Sequence, residues 1–206
     1  MHYMLGPRGH SVGAVLDIET TGLNPSTEEI IELALILFRY DKRNGRIVEI
    51  LRAYSGLREP KCSISRDSRR VHGISRSMVG GRRLNTRKIR KMLATSDFCI
   101  SHNANFDRGF VERLLPALYG KTWLCSMRGI DWRGKGYSSR SLADLAAAHQ
   151  IVNPASHRAE GDARTLLALL SYRRKYTRTR LYELLRNVGL IGGQKASSFQ
   201  NIRMVL

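Results

Sequence analysis

The feature that most limits how this chain can fold is a pair of carboxylates at the end of an apolar run, in Val12-Gly13-Ala14-Val15-Leu16-Asp17-Ile18-Glu19-Thr20-Thr21-Gly22-Leu23. Small and apolar residues over 12–16 predict a strand entering a buried sheet. Side chains alternate along a strand, so Asp17 and Glu19 share one face, about 6–7 Å apart, while Ile18 takes the other. Two acids held so close beside a buried strand repel each other and lose hydration unless a cation lies between them. Hard carboxylate oxygens suit magnesium or manganese. Taken alone, a D-x-E more often marks an acidic strand end facing water. The case for a metal therefore depends on what the rest of the chain brings to this point.

The charge balance names a class of partner. Against 35 Lys and Arg stand 17 Asp and Glu, a net charge of +18. Such a field attracts polyanions and speeds their encounter, which points to nucleic acid. A membrane surface is the competing polyanion, but no basic amphipathic helix with an aromatic apolar face stands out. The three cysteines, Cys62, Cys99 and Cys125, form no C-x-x-C pair, so neither a disulfide framework nor a zinc knuckle is expected. Residues 1–10 contain no apolar signal core, and no run approaches the length of a membrane span. A soluble intracellular protein is the expectation.

After the opening strand, Asn24-Pro25-Ser26-Thr27 reads as a loop. Glu29 to Tyr40 could be helix or strand by period alone, but Gly45 and the extended run Arg46 to Tyr54 favour a hairpin turning over 41–45. The segment 58–91 carries twelve Lys and Arg against two acids. Within it Ile89, Met92 and Leu93 form the apolar stripe of a helix with a cationic outer face. That face is either simply solvated or binds a phosphate backbone. Asp97 to Ser101 reads as a short buried strand, followed by a helix from about Phe106 to Leu118 that Pro116 ends or bends. Thr122 to Cys125 is another strand, and 128–140 a basic loop. Further helices are expected from Ser141 to His149, from Ala163 to about Tyr172, and from Arg180 to Asn187.

Two of these helices begin with a carboxylate on the side that should be buried. Asp107 leads the stripe Phe110, Val111, Leu114 and Leu115, and Asp162 leads Leu166, Leu169 and Leu170. Burying an unpaired carboxylate costs several kcal/mol, far more than the ~0.3–1 kcal/mol that a helix N-terminus returns. Each could pair with an arginine, for example Asp107 with Arg164, or cap its helix with the carboxylate turned to water. Together with Asp17 and Glu19, convergence of all four on two divalent ions is favoured, an arrangement suited to phosphodiester hydrolysis. Such chemistry needs a group to take the proton of the attacking water. His157, five residues before Asp162, has the reach, and an imidazole titrates near neutral pH, worth about 10²–10⁴ in rate. The alternative is a plain surface histidine.

Four ordered segments carry a family resemblance: Asp17-Ile18-Glu19-Thr20-Thr21-Gly22, Val71-His72-Gly73-Ile74, His102-Asn103-Ala104-Asn105-Phe106-Asp107, and His157-Arg158-Ala159-Glu160-Gly161-Asp162-Ala163. Over residues 12–172 the chain resembles the DEDDh 3′–5′ exonucleases, the family that includes epsilon-like proofreading nucleases and stand-alone relatives. The resemblance implies an α/β, RNase H-like fold with a five-stranded mixed sheet flanked by helices. It also implies stepwise hydrolysis from a 3′ end, most simply of single-stranded DNA, releasing nucleoside 5′-monophosphates. Carried across, Asp17, Glu19, Asp107 and Asp162 would hold two Mg2+ or Mn2+ ions and His157 would be the general base. Thr20, Thr21, Gly22 and Leu23 would meet the terminal nucleotide, Leu23 as a wedge against its base. His102, Asn103 and Phe106 would lie beside the next nucleotide. His72 lies in a segment that borders the cleft in relatives, and a structural hydrogen bond is favoured there over a substrate contact. RNA is the alternative substrate, a non-catalytic basic binding protein the alternative class, and a replication or repair polymerase a possible partner. One domain is expected over 1–187, with a flexible tail over 188–206.

Overall fold

The computed structural model describes residues 9–173 and 177–191. Its sheet has five strands in the order β3-β2-β1-β4-β5. These are β1 (His10–Thr20), β2 (Ile30–Asp41), β3 (Ile47–Leu57), β4 (Phe98–Ser101) and β5 (Trp123–Cys125). The first three run antiparallel, and β4 and β5 lie parallel to β1. The mixed sheet is therefore as expected, and the ambiguous run after Glu29 is a strand. Its hairpin partner β3, the edge strand, slips register twice, at Leu37/Phe38 and Arg39/Tyr40 of β2.

The helices are α1 (Arg66–His72), α2 (Arg76–Val79), α3 (Thr86–Ala94), α4 (Ala104–Leu114), α5 (Ser126–Gly129), α6 (Leu142–Ala148), α7 (Ala159–Ser171) and α8 (Arg180–Asn187). They cover both faces of the sheet. Val15, Ala34, Ile36 and Phe38 pack against α6, α7 and α8, while Leu16, Ile18, Leu33 and Leu35 pack against α3 and α4. Each fully buried leucine in these layers contributes about 1.5–3 kcal/mol relative to exposure.

Several bounds differ from the sequence expectation, each for a physical reason. α4 stops at Leu114 because Pro116 cannot continue it, and Pro116–Leu118 forms a separate 3-10 turn. α7 starts at Ala159, ahead of the expected Ala163. No side chain of Arg158 caps it; instead Glu32, from β2, accepts the Ala159 N–H at 3.0 Å. The basic stretch 128–140 is not a surface loop throughout. Trp132 is fully buried there, its indole N–H donating to the Ser126 carbonyl at 2.9 Å. Two short helices, α1 and α2, occupy a region where no helix is expected from the sequence, α1 capped by Ser65. The expected tail lies outside the described residues from 192 onward.

Candidate active site

Asp17 and Glu19 stand at the C-terminal end of β1. They continue the alternation of Gly13 and Val15, so they face the layer built by α7. Asp162, in the first turn of α7, meets them there. One oxygen from each of the three carboxylates lies within 4.8 Å of the others. Asp107 is outside this trio because it belongs to α4, on the opposite face of the sheet. It still lies near enough for its charge to act on Asp17. The pairing of Asp107 with Arg164 does not occur, since Arg164 bonds Glu160 at 2.7 Å.

All four acids are pushed toward their protonated forms. Burial raises Asp17 well above the usual carboxylate range, and the charges of Asp107, Asp162, Glu19 and Glu32 raise it further. Glu19 is pushed up to about 8 by burial, with Asp162 and Glu32 adding and Arg158 opposing. Burial takes Asp107 up to about 7. Asp162 is raised by burial, while Asn153 and His157 hold it down. Bringing these acids to their charged state near neutral pH requires added positive charge. The donors are hard oxygens that already converge, a set that fits magnesium or manganese.

Glu32 is the residue that sequence reasoning missed. It sits opposite Glu19 in the β1–β2 ladder. A fifth acid there would add to the repulsion, but the Arg158 guanidinium forks onto it, at 2.9 Å from Nε and 2.7 Å from Nη2. The available signal was a single acid inside the apolar run Ile30-Ile31-Glu32-Leu33-Ala34-Leu35. Asn153 was also missed: its side-chain amide donates to Asp162 Oδ1 at 2.7 Å.

His157 lies on the loop between these anchors, exposed, with φ +59°. A left-handed non-glycine residue costs of order 1–3 kcal/mol and persists only when its surroundings hold it. Here its backbone N–H donates to Asp162 Oδ2 at 3.1 Å, and its neighbour Arg158 is tied to Glu32. Gly161 lets the loop come this close, because a Cβ there would run into the Ala155 carbonyl.

The turn after β1 is knitted from within. Thr20 Oγ1 donates to the Gly22 carbonyl at 2.6 Å, and Thr21 Oγ1 donates to Glu28 while accepting from the Glu29 N–H at 2.9 Å. Leu23, at its tip, is 83% exposed. His102 is buried, with Nδ1 on the Ser126 hydroxyl at 2.9 Å and Nε2 on the Arg140 carbonyl at 2.7 Å. The side-chain donors of Thr20, Thr21 and His102 are thus already committed to the protein. Leu23 and Asn103 are exposed, and Phe106 is half-buried against Phe110. His72 plays the structural part expected of it, its Nδ1 accepting the Ile74 N–H at 2.9 Å.

A mixed sheet sandwiched between helices, with acids gathered at the end of its central strand, defines an RNase H-like nuclease fold. The exonuclease family model RNase_T matches residues 14–170, and the chain belongs to that family. It is similar to the PolC-type DNA polymerase III of Thermotoga maritima, at 31% identity over 137 residues, 66% of this chain and 9% of the relative. It is also similar to the DNA polymerase III epsilon subunit of Treponema pallidum, at 28% identity over 176 residues, 79% of this chain and 76% of that one. The chain therefore spans less than a tenth of the PolC-type relative. Among solved structures, exonuclease X bound to 5′-overhanging duplex DNA shares the fold with a TM-score of 0.58 and 23% identity, covering 86% and 93% of the two chains. E. coli exonuclease I with a dT13 oligonucleotide gives 0.62 at 16% identity, over 78% and 40%. A 3′-exonuclease recognising a histone mRNA stem-loop gives 0.60 at 13%, over 90% and 85%. No helix among the described residues is long and apolar enough to cross a membrane.

Proposed function

We infer that this protein is a divalent-metal-dependent 3′–5′ exonuclease that removes nucleotides one at a time from the 3′ end of single-stranded DNA. The observation that carries the reading is the meeting of Asp17, Glu19 and Asp162 within 4.8 Å at the end of β1. Asp17, Glu19, Asp107 and Asp162 would hold two magnesium or manganese ions, which supply charge neutralisation for the phosphodiester and an acidified water. His157 accepts the proton of the attacking water on its exposed ring. The bond from its backbone N–H to Asp162 ties this stretch of the loop to the acids, which supports the role. The turn Thr20-Thr21-Gly22 would meet the terminal nucleotide through its backbone, with Leu23 wedged against the base. His102, Asn103 and Phe106 would border the next nucleotide, His102 by holding the wall rather than by donating a ring proton. Water adds to phosphorus, the bond to the 3′ oxygen of the preceding nucleotide breaks, that oxygen takes up a proton from solvent to become the new 3′-hydroxyl, and a nucleoside 5′-monophosphate leaves.

DNA is favoured over RNA because the curated relatives are DNA polymerase III proteins. They also make a replicative polymerase the natural partner class. The RNA reading is kept alive by the likeness to the histone mRNA 3′-exonuclease. DNA and RNA oligonucleotides of one sequence, labelled at the 3′ or the 5′ end and incubated with and without EDTA, test both. Metal-dependent release of mononucleotides from the 3′ end is expected, faster on DNA. Activity that survives EDTA, or wild-type rates in Asp162→Ala, would overturn the exonuclease reading.

A further inference from the structure

The most basic segment of the chain has a definite place relative to the acid centre. α1 is fastened along the turn that follows β1. The N–H of its cap residue Ser65 donates to the Thr21 carbonyl at 2.9 Å, and His72 at its other end is buried against the Thr20 backbone. From α1 the chain passes round the end of β3, where the Gly81 N–H donates to Glu59 at 2.8 Å and the Glu59 N–H donates to the Arg82 carbonyl at 2.9 Å. It then enters α3, whose lead residue Asn85 donates its N–H to the Tyr54 hydroxyl at 2.9 Å. Residues 61–91 thus form one continuous surface running from the active-site turn along the β3 side.

The cations on that surface are mostly left over after the protein's own acids are used. Of the twelve Lys and Arg between 58 and 91, three make ion pairs: Arg58 with Glu29, Arg70 with Asp67 and Arg76 with Glu59. The other nine have no carboxylate partner among the described residues. Arg66, Arg69, Arg82 and Arg83 are exposed. Like charges recur at helical spacing on α3, Arg87 with Lys91, which weakens the helix that carries them. A row of unpaired, self-repelling cations leading away from a phosphodiester-cleaving centre matches the spaced charges of a nucleic-acid backbone.

We propose that residues 61–91 form a track for the sugar-phosphate backbone upstream of the 3′ end, outside the catalytic centre, so that substrate length sets affinity. This rests on the reading that the 3′ end enters beside Asp17. The track reads charge and not base identity, so it serves DNA and RNA strands alike.

The test compares R66A/R69A/R82A/R83A with wild type on a long oligonucleotide and on a trinucleotide sharing its 3′ end, each as DNA and as RNA. The variant should raise KM for the long substrate at least about tenfold, leave kcat unchanged and leave the trinucleotide unaffected. The slope of log(kcat/KM) against log[salt] should flatten by about 2–3, from ~0.7 for each phosphate of a single strand that the protein no longer neutralises. A control, R46A/R128A/R133A/R186A, removes the same charge from exposed sites elsewhere and should behave as wild type. Equal loss on the trinucleotide, an unchanged salt slope, or an equal effect of the control would each overturn the track. Anisotropy of a labelled long oligonucleotide with Asp17→Asn protein reads the track without turnover. Weakened binding in the fourfold variant there would uphold it even if the exonuclease reading failed.

Discussion

Arg158 is where the stability of the acid centre and the placement of its histidine meet. Arg158→Met keeps most of the aliphatic stem and removes the guanidinium, so Glu32 loses two of its three N–H donors and keeps only Ala159. The Glu32 side chain is 5% exposed and faces Glu19, so the orphaned charge adds to a cluster already crowded with acids. Breaking a fully buried ion pair costs about 3–5 kcal/mol. The Arg158 side chain is 36% exposed, so water screens the pair and about 2–3 kcal/mol is expected. At about 2–4 °C per kcal/mol for a chain of this size, thermal unfolding in EDTA should fall by about 4–12 °C. Glu32→Gln combined with Arg158→Met removes the stranded charge and should recover most of the loss. The single variant should also lower kcat more than it raises KM, because the loop bearing His157 loses its anchor. An unfolding midpoint indistinguishable from wild type in EDTA, or a double variant as unstable as the single one, would refute this account of how the acids are held.

Three other outcomes follow from the same geometry. In EDTA the protein should lose stability as pH rises from about 4.5 to 8: an acid whose folded pKa is raised stabilises the fold fully below its unfolded pKa and loses that contribution through its folded one, here about 8 for Glu19 and about 7 for Asp107. Unfolding midpoints across that range should decline in EDTA and hold level with manganese; a flat EDTA profile contradicts the assigned shifts. Asp17→Asn should abolish mononucleotide release yet raise the metal-free midpoint above pH 7, because it removes a repelling charge, and a lowered midpoint would show that Asp17 is not under strain there. Gly161→Ala should push back the 153–157 loop and cut kcat by about tenfold or more with intact secondary structure by circular dichroism, in line with the sensitivity of catalysis to small misplacements; wild-type turnover would show that the loop gives way freely.

What the sequence revealed and what it concealed differ by range of interaction. The alternation that sets Asp17 and Glu19 on one face is local, as are the hairpin after β2, the stop at Pro116 and α8, whose bounds follow directly from its leucines. The bond between Glu32 and Arg158 joins residues 126 apart, and neither side chain looks unusual beside its chain neighbours. Trp132 vanished into a basic stretch because its burial is decided by α6 and α8 packing from elsewhere. The early start of α7 escaped notice for a related reason: its N-terminal N–H is satisfied by a carboxylate from another strand, and the usual Ser, Thr, Asp or Asn cap is missing. The four-acid pattern was legible as a set. That Asp107 would stand apart from the other three depends on which face its helix covers, which only the assembled sheet reveals.

That division of the acids has a bearing on how the molecule can fail. Asp162 arrives with the α7 layer and Asp107 with the α4 layer, and β1 is the partition between them. Ions shared by acids from both sides would act as a clasp through the partition, fastening two otherwise separate slabs of packing. Loosening either slab by a few ångströms would silence the enzyme while every strand and helix survived, so loss of turnover should be the earliest symptom of damage far from the centre itself.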